Sequence, residues 1–408
     1  MDRTTVCVVG GGPAGMVLGL LLARAGIEVT VLEKHADFLR DFRGDTVHPP
    51  TLDLLDDLGL GEEFAKIPQR HIDTVGLPYQ GQIVQIGDLS QLKGRHPYIA
   101  MVPQWDFLDL LKRAAEDEPA FRLCMETEAT GLLREGGRVV GVTYRTAAGD
   151  AGEIRADLTV ACDGRSSLLR ASAGLTPKEW ATPMDVWWFR LPRHETDPSG
   201  IVGNITAARA AVMIDRGEYW QCAVLIGKGT DRAARRGEVA DIVRQLGVGT
   251  PWVLDRVDAL DSWDDVKVLD VKLNRLHRWH VDGLLCIGDA AHAMSPVGGI
   301  GINLAVQDAI ATAGLLADKI KRGSLTGDDL ALVRRRRLLP TVVLQGMQRF
   351  LHRVAIGPVV RGEVEVAMSD RLPLPMRVLR RFPRLRGLPA TVLGRGVRTE
   401  PTPRFARR

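Results

Sequence analysis

The sequence predicts an α/β fold: a Rossmann-like nucleotide-binding domain, an inserted mixed β-sheet domain and a helical C-terminal region. Three observations predict it. The first 33 residues alternate as strand, turn, helix and strand, with apolar stretches at 6–9, 13–25 and 27–32, which is one βαβ unit. Two later apolar runs, 156–161 and 283–287, stop as the first does at a glycine-containing loop, Cys162-Asp163-Gly164 and Gly288-Asp289. In open α/β sheets the ligand lies beyond the carboxyl ends of the strands, so these loops are expected to converge on one ligand. Between the second and third loops the texture changes, with tryptophan-bearing, alternating runs at 186–191 and 218–226 that suit a separate sheet.

The first loop, Gly10-Gly11-Gly12-Pro13-Ala14-Gly15, fits G-x-G-x-x-G between strand and helix. Glycine permits a tight turn at Gly10, close backbone approach to a pyrophosphate at Gly12 and close helix packing at Gly15, with the helix N-terminus facing the phosphates. Glu33, followed by Lys34 at the end of the second strand, is placed to accept hydrogen bonds from ribose hydroxyls and disfavours a 2′-phosphate. The adenosine diphosphate part of FAD or NAD is therefore expected.

The third loop decides between them. Gly288-Asp289 is followed by His292, Pro296, Gly298-Gly299-Ile300-Gly301-Ile302-Asn303 and Asp308. Asp289 can bind a polyol hydroxyl, and residues 298–301 offer backbone N–H groups ahead of a helix expected to start near Asn303. A helix N-terminus aimed at a ring that gains negative charge on reduction stabilises the reduced form. NAD has no ribityl chain for such a loop; FAD does.

With these motifs in this order, and with Cys162-Asp163-Gly164-Arg165-Ser166-Ser167-Leu168-Leu169-Arg170 matching D-G-x-x-S-x-x-R, the chain resembles the single-component (class A) FAD-dependent aromatic hydroxylases typified by para-hydroxybenzoate hydroxylase. The resemblance spans nearly the whole sequence. It implies further FAD contacts at Arg43, in the loop after Glu33, at Gln104, opening a helix over 105–114, and at Ala129 beside the adenine. The element from Asp163 to Arg170 would serve both FAD and a visiting nicotinamide, with Asp163 a cofactor contact. It also implies a monooxygenase that uses NAD(P)H and O2 to hydroxylate an aromatic, phenolic or polycyclic small molecule through a flavin hydroperoxide. The catalytic residues are not legible. His48, Tyr219, Trp220 and Pro296 are pocket candidates, with Trp187 and Trp188 as possible walls, and the plainer reading of each is a satisfied structural or core residue.

The domain boundaries expected are 1–72, 98–176 and 265–350 for the FAD-binding domain, 73–97 and 177–264 for the substrate-binding sheet domain, and 351–408 for the helical C-terminal region. Helices are expected over 304–321 and 328–337, with another containing 343–354 after a break at Pro340. Two alternatives compete. A flavin-dependent halogenase carries W-x-W-x-I-P, whose rhythm Trp187-Trp188-Phe189-Arg190-Leu191-Pro192 imitates with Phe189 in the second tryptophan's place. A non-catalytic FAD-fold binding or escort protein would keep the fold and lose the flavin.

Bulk properties narrow the classes. A net charge of +4 on 408 residues does not suggest nucleic acid. The stretch from Arg371 to Arg408 has eleven arginines and one acid, Glu400, which suits a solvated or loose tail, with peripheral membrane contact the lesser alternative. Five cysteines without C-x-x-C argue against a disulfide framework, a metal site or a dithiol reductase and favour the cytoplasm. No run has the length of an integral membrane span. The oligomeric state is not legible.

Overall fold

The computed structural model describes residues 2–38, 46–79, 82–205, 210–363, 377–378 and 381–408. Its largest sheet has eight strands, ordered His280–Val281, Leu284–Cys286, Ala151–Ala161, Asp2–Val9, Val29–Leu32 and Phe121–Cys124, with the hairpin Thr127–Glu135/Arg138–Thr146 joined to Ala151–Ala161. The five strands from Leu284–Cys286 to Phe121–Cys124 are parallel neighbours. Parallel strands are covered on both faces, so their residues are apolar without alternation; Val6, Cys7 and Val8 are fully buried. Burial pushes the Cys7 thiol up to about 12, which leaves it an inert packing group. On this sheet lie the helices Pro13–Arg24 and Gly301–Lys321, whose buried residues join the same core.

The second sheet is antiparallel, ordered Ile201–Ile205, Ala210–Asp215, Tyr219–Gly227, Met184–Pro192 and Lys267–Leu269. Its strands alternate because the two faces meet different surroundings. One face, with Trp187, Phe189, Leu191, Met213, Trp220 and Cys222, is packed under the helix Asp241–Gly247 and the 3₁₀ turns of Pro251–Ala259. The other carries Trp188, Ala223 and Leu225 and meets Val297, Ile356 and Val360.

Two details depart from the sequence boundaries. The strand Lys267–Leu269, expected in the nucleotide-binding domain, pairs with Met184–Pro192 and completes the second sheet. The strands Thr74–Tyr79 and Gln82–Asp88, expected in that sheet, form their own two-stranded hairpin.

The helix expected to break at Pro340 runs unbroken over Gly327–Leu351. Proline in a helix interior removes one hydrogen bond and crowds the preceding turn, costing roughly 3 kcal/mol. Tertiary contacts on both sides offset this: Arg337 is buried against Asp308 and Glu400, and Gln345 and Gln348 are hydrogen-bonded to other segments. Nor is the basic C-terminus loose where it is described. Arg395 pairs with Asp53, Arg408 with Glu118, and the Arg408 N–H donates to the Asp57 carbonyl at 3.0 Å. Ala406 is fully buried, its carbonyl accepting from Arg24. The arginines thus find intramolecular acceptors that lie more than 250 residues away in the sequence, beyond the reach of local pattern.

Candidate cofactor and active site

Sheet order brings the three loops together. The Gly10 N–H donates to Leu32 O at 2.8 Å, Cys162 N–H to Val9 O at 2.7 Å and Ile287 N–H to Ala161 O at 3.1 Å, so the loops leave adjacent strand ends side by side. Arg170, 8% exposed, ties the second loop to the third by donating to Ala290 O at 3.1 Å and to Arg165 O at 3.0 Å. Arg165 in turn lies 3.6 Å from the Asp289 carboxylate.

Within the first loop the glycines divide by role. Gly10 has φ +105°, and a Cβ there would stand 2.4 Å from Cys162 O; at Gly15 a Cβ would stand 1.9 Å from Gly10 O. Among the described residues, a Cβ at Gly12 would meet nothing within 4 Å. Two glycines are thus demanded by the protein's own packing, and the third opens onto free space at a helix N-terminus. That helix, Pro13–Arg24, has neither a side-chain cap nor an acid in its first turn, so its leading N–H groups face that space with their partial positive charge. Ala14 is buried behind it and Pro13 half-buried.

Glu33 is 2% exposed and accepts from Gly11 N–H at 2.8 Å and His35 N–H at 3.0 Å, with His35 Nδ1 at 2.6 Å. It therefore braces the loop while its carboxylate stays at the strand end, with Lys34 exposed beside it. Thr127 N–H donates to Glu33 O at 2.8 Å, which sets Ala129, 7% exposed, two residues further along the neighbouring strand. Arg43 lies outside the described residues.

Asp163 is engaged by its own loop: Ser167 Oγ donates to it at 2.5 Å and Leu169 N–H at 3.1 Å. Burial pushes its carboxyl above the usual carboxylate range, against those hydrogen bonds. It holds the loop and the start of the helix Leu168–Ser172. Asp289, by contrast, leaves its side chain 32% exposed at the rim.

The third loop is braced from behind. Asp308, fully buried, accepts from Gly288 N–H at 3.1 Å and Arg337 Nε at 3.0 Å and lies 2.5 Å from His292 Nε2. Burial pushes its carboxyl up, but the attraction of His292 and Arg337 outweighs that and leaves it below the usual range. His292 therefore shapes the loop from its buried side. Gly299 O is held by Thr46 Oγ at 2.6 Å and His48 Nε2 at 3.1 Å, while His48 Nδ1 lies 3.0 Å from Leu393 O. Burial pushes the His48 pKa below its ordinary 6.5, against the carbonyls of Gly299, Leu393 and Gly394, so the ring is neutral and buried behind the loop. Thr46 and Leu393 were not singled out by sequence, because only the fold brings them to residue 299.

The helix Gly301–Lys321 starts two residues before Asn303, with no cap and no acid in its first turn. Gly301 and Pro296 are half-buried, and Ile302 is 8% exposed. Asn303 is 4% exposed and accepts from Thr51 Oγ at 3.1 Å. A second helix N-terminus therefore ends beside the 296–299 turn.

Beyond the turn stands the open face of the second sheet. Trp188 packs there with Val297 of the flavin-type loop. Arg190 stacks over the Tyr219 ring at 4.6 Å and stands 6.0 Å from the Trp105 ring, next to Gln104 at the head of the helix Gln104–Glu116. Trp220 turns the other way: it is fully buried, donates to Asp197 at 2.8 Å and packs on Trp252. The structure therefore corrects its assignment from pocket wall to core. Trp187 and Phe189 face the same core, so the tryptophan rhythm that suggested a halogenase is sheet packing.

The residues present suit FAD. The open glycine and uncapped helix would receive the pyrophosphate, Glu33 a ribose, the rim Asp289 a polyol, and the uncapped Gly301–Lys321 helix the ring. Fold and site together define a flavoprotein oxidoreductase. The family described as FAD binding domain matches residues 3–338. A 6-methylpretetramide 4-monooxygenase of Streptomyces rimosus is 35% identical over 392 residues, 93% of this chain and 92% of that protein. A para-nitrophenol 4-monooxygenase of a Pseudomonas species is 26% identical, over 81% and 82% of the two chains. The solved anhydrotetracycline hydroxylase of Streptomyces rimosus superposes with a TM-score of 0.74 at 22% identity, over 97% of this chain and 77% of that one. The chain belongs to the single-component FAD-dependent aromatic hydroxylases; it is an FAD-dependent monooxygenase. Among the described residues, no helix is long and apolar enough to cross a membrane.

Proposed function

We propose that this enzyme hydroxylates a fused-ring phenol, using NAD(P)H and O2. The observation that carries the reading is the 35% identity, over nearly the full length of both chains, to a monooxygenase named for a polycyclic substrate. Bound FAD supplies oxygen activation, and the nicotinamide supplies the electrons. The protein's own residues do the rest. Gly12, Glu33 and Asp289 hold the cofactor's polar parts, with Asp163 keeping their loop in shape. Gln104, Pro296 and the N–H groups at Gly299 to Asn303 would hold the ring.

Trp188, Ala223, Leu225 and Val297 pack together on one face of the second sheet, where they would keep water from the reacting face. The Arg190 guanidinium, stacked on Tyr219, places a positive charge on the same side of the sheet, where an ionised phenol oxygen gains most from it.

The test is a panel of fused-ring and simple phenols assayed for NADH and NADPH oxidation by the FAD-loaded enzyme under ¹⁸O2. Oxidation stimulated by a fused-ring phenol, with one labelled oxygen in the product, is expected. Peroxide alone across the panel would overturn the proposal, and bromide- or chloride-dependent product would favour a halogenase.

A further inference from the structure

Three polar residues on one face of the helix Gly327–Leu351 and its extension are spaced i, i+3, i+7: Gln345, Gln348 and His352. All are buried, at 1%, 0% and 5% exposure. Each turns toward one short segment, 293–297. Gln345 Nε2 donates to Ala293 O at 3.2 Å and to Asn274 O at 2.7 Å. Gln348 Nε2 donates to Ser295 O at 2.7 Å and Val297 O at 2.8 Å, and its Oε1 accepts from Ser295 N–H at 3.1 Å. His352 Nε2 lies 2.8 Å from Ser295 Oγ, which also accepts from Val297 N–H at 3.3 Å. The peptides on both sides of Pro296 are therefore fixed by one helix face.

His352 is the member of this set that simple packing does not explain. Its Nδ1 is buried without a hydrogen-bond partner among the described residues, an unfavourable arrangement that a leucine would avoid. It also opens a π-helical turn, His352–Ile356, a distortion that recurs at functional sites. The last residue of that turn, Ile356, and Val360 beyond it pack with Val297 against Trp188, Ala223 and Leu225 of the second sheet. The ring thus stands between the loop and the elements that line the reacting space.

We propose that His352 is a positioning residue for the flavin: through Ser295 it fixes the backbone around Pro296, and so sets the environment of the ring. The inference rests on assigning the 296–299 turn to the flavin. Burial lowers the His352 pKa, so the ring is neutral and acts by hydrogen bonding.

The test needs no substrate. In the full chain, His352→Leu, His352→Gln, Ser295→Ala and the double variant are compared for FAD dissociation constant, visible spectrum of the bound oxidised flavin and reduction potential, with Pro296→Gly as the loop control. His352→Leu and Ser295→Ala are each expected to alter the flavin band, move the potential negative and weaken FAD about fivefold, the effect of one lost hydrogen bond. His352→Gln, which keeps an amide near the Nε2 position, restores most of this. The double variant is no worse than either single one, because both remove the same link.

Wild-type spectra and potential in Ser295→Ala, or an additive double variant, overturn the role of His352. If those are unchanged while Pro296→Gly alters the flavin, the loop assignment stands and only the inference fails. If Pro296→Gly is silent as well, both fail. Should His352→Leu not fold, Ser295→Ala and His352→Gln decide the matter.

Discussion

Gly12 and Gly15 stand three residues apart in one loop, yet their surroundings call for opposite responses to alanine. A methyl group at Gly12 meets nothing among the described residues, so Gly12→Ala is expected to keep the fold and thermal midpoint while weakening FAD by about tenfold, because the added carbon would occupy the pyrophosphate's approach. At Gly15 the same methyl group meets Gly10 O at 1.9 Å. Gly15→Ala is expected to destabilise the protein by about 2–3 kcal/mol, read in urea unfolding of the apoprotein. Equal FAD loss with equal unfolding in both variants would sink the division of roles. These glycines and Glu33 were legible in the sequence because their chemistry is tied to fixed local spacing. Trp188 and Trp220 were not: strand parity says that alternate residues face opposite ways, but not which face a helix covers.

At the scale of elements, the helix Gly327–Leu351 is where local pattern fails and tertiary structure decides. Its proline carries an intrinsic penalty, so Pro340→Ala is expected to raise the unfolding free energy by about 1–3 kcal/mol, part of the roughly 3 kcal/mol cost being set against lost packing. Arg337 works in the opposite direction. It is 1% exposed and neutralises the fully buried Asp308. Arg337→Met would leave that carboxylate short of a partner and cost about 3–5 kcal/mol in urea denaturation, with FAD binding weakened because Asp308 also holds Gly288 N–H. A variant as stable as the parent would show that His292 alone suffices. The periodicity of 304–321 was enough to find the neighbouring helix; continuity through Pro340 was not, since the contacts that hold it come from residues 274, 308 and 400.

Over the whole molecule, the same residues that hold the site make its stability depend on acid. His48, His280 and His352 are 0%, 9% and 5% exposed, and burial pushes each pKa below its ordinary 6.5. A group whose folded-state pKa is depressed stabilises the fold fully above its unfolded value and loses that contribution as pH falls through the folded one. The thermal midpoint should therefore be level above about pH 7 and fall from about pH 6.5 downward. The limiting slope is about 1.4 kcal/mol per pH unit for each proton taken up on unfolding. Asp163 has the opposite sign, since burial raises its carboxyl: its contribution is present below its unfolded value and lost as pH rises through the folded one. His48 stands between the 296–299 turn and the C-terminal segment, its neutral ring donating to one of the two carbonyls that face it, Gly299 O or Leu393 O. FAD, which would bind only the native state with an ordered turn, should raise the midpoint by mass action, and by holding His48 neutral it should carry that residue's share of the acid-dependent loss to lower pH. His48→Asn should flatten the curve between pH 5 and 7 in the apoprotein. A variant profile parallel to the parent's would assign the sensitivity to His280 and His352 instead.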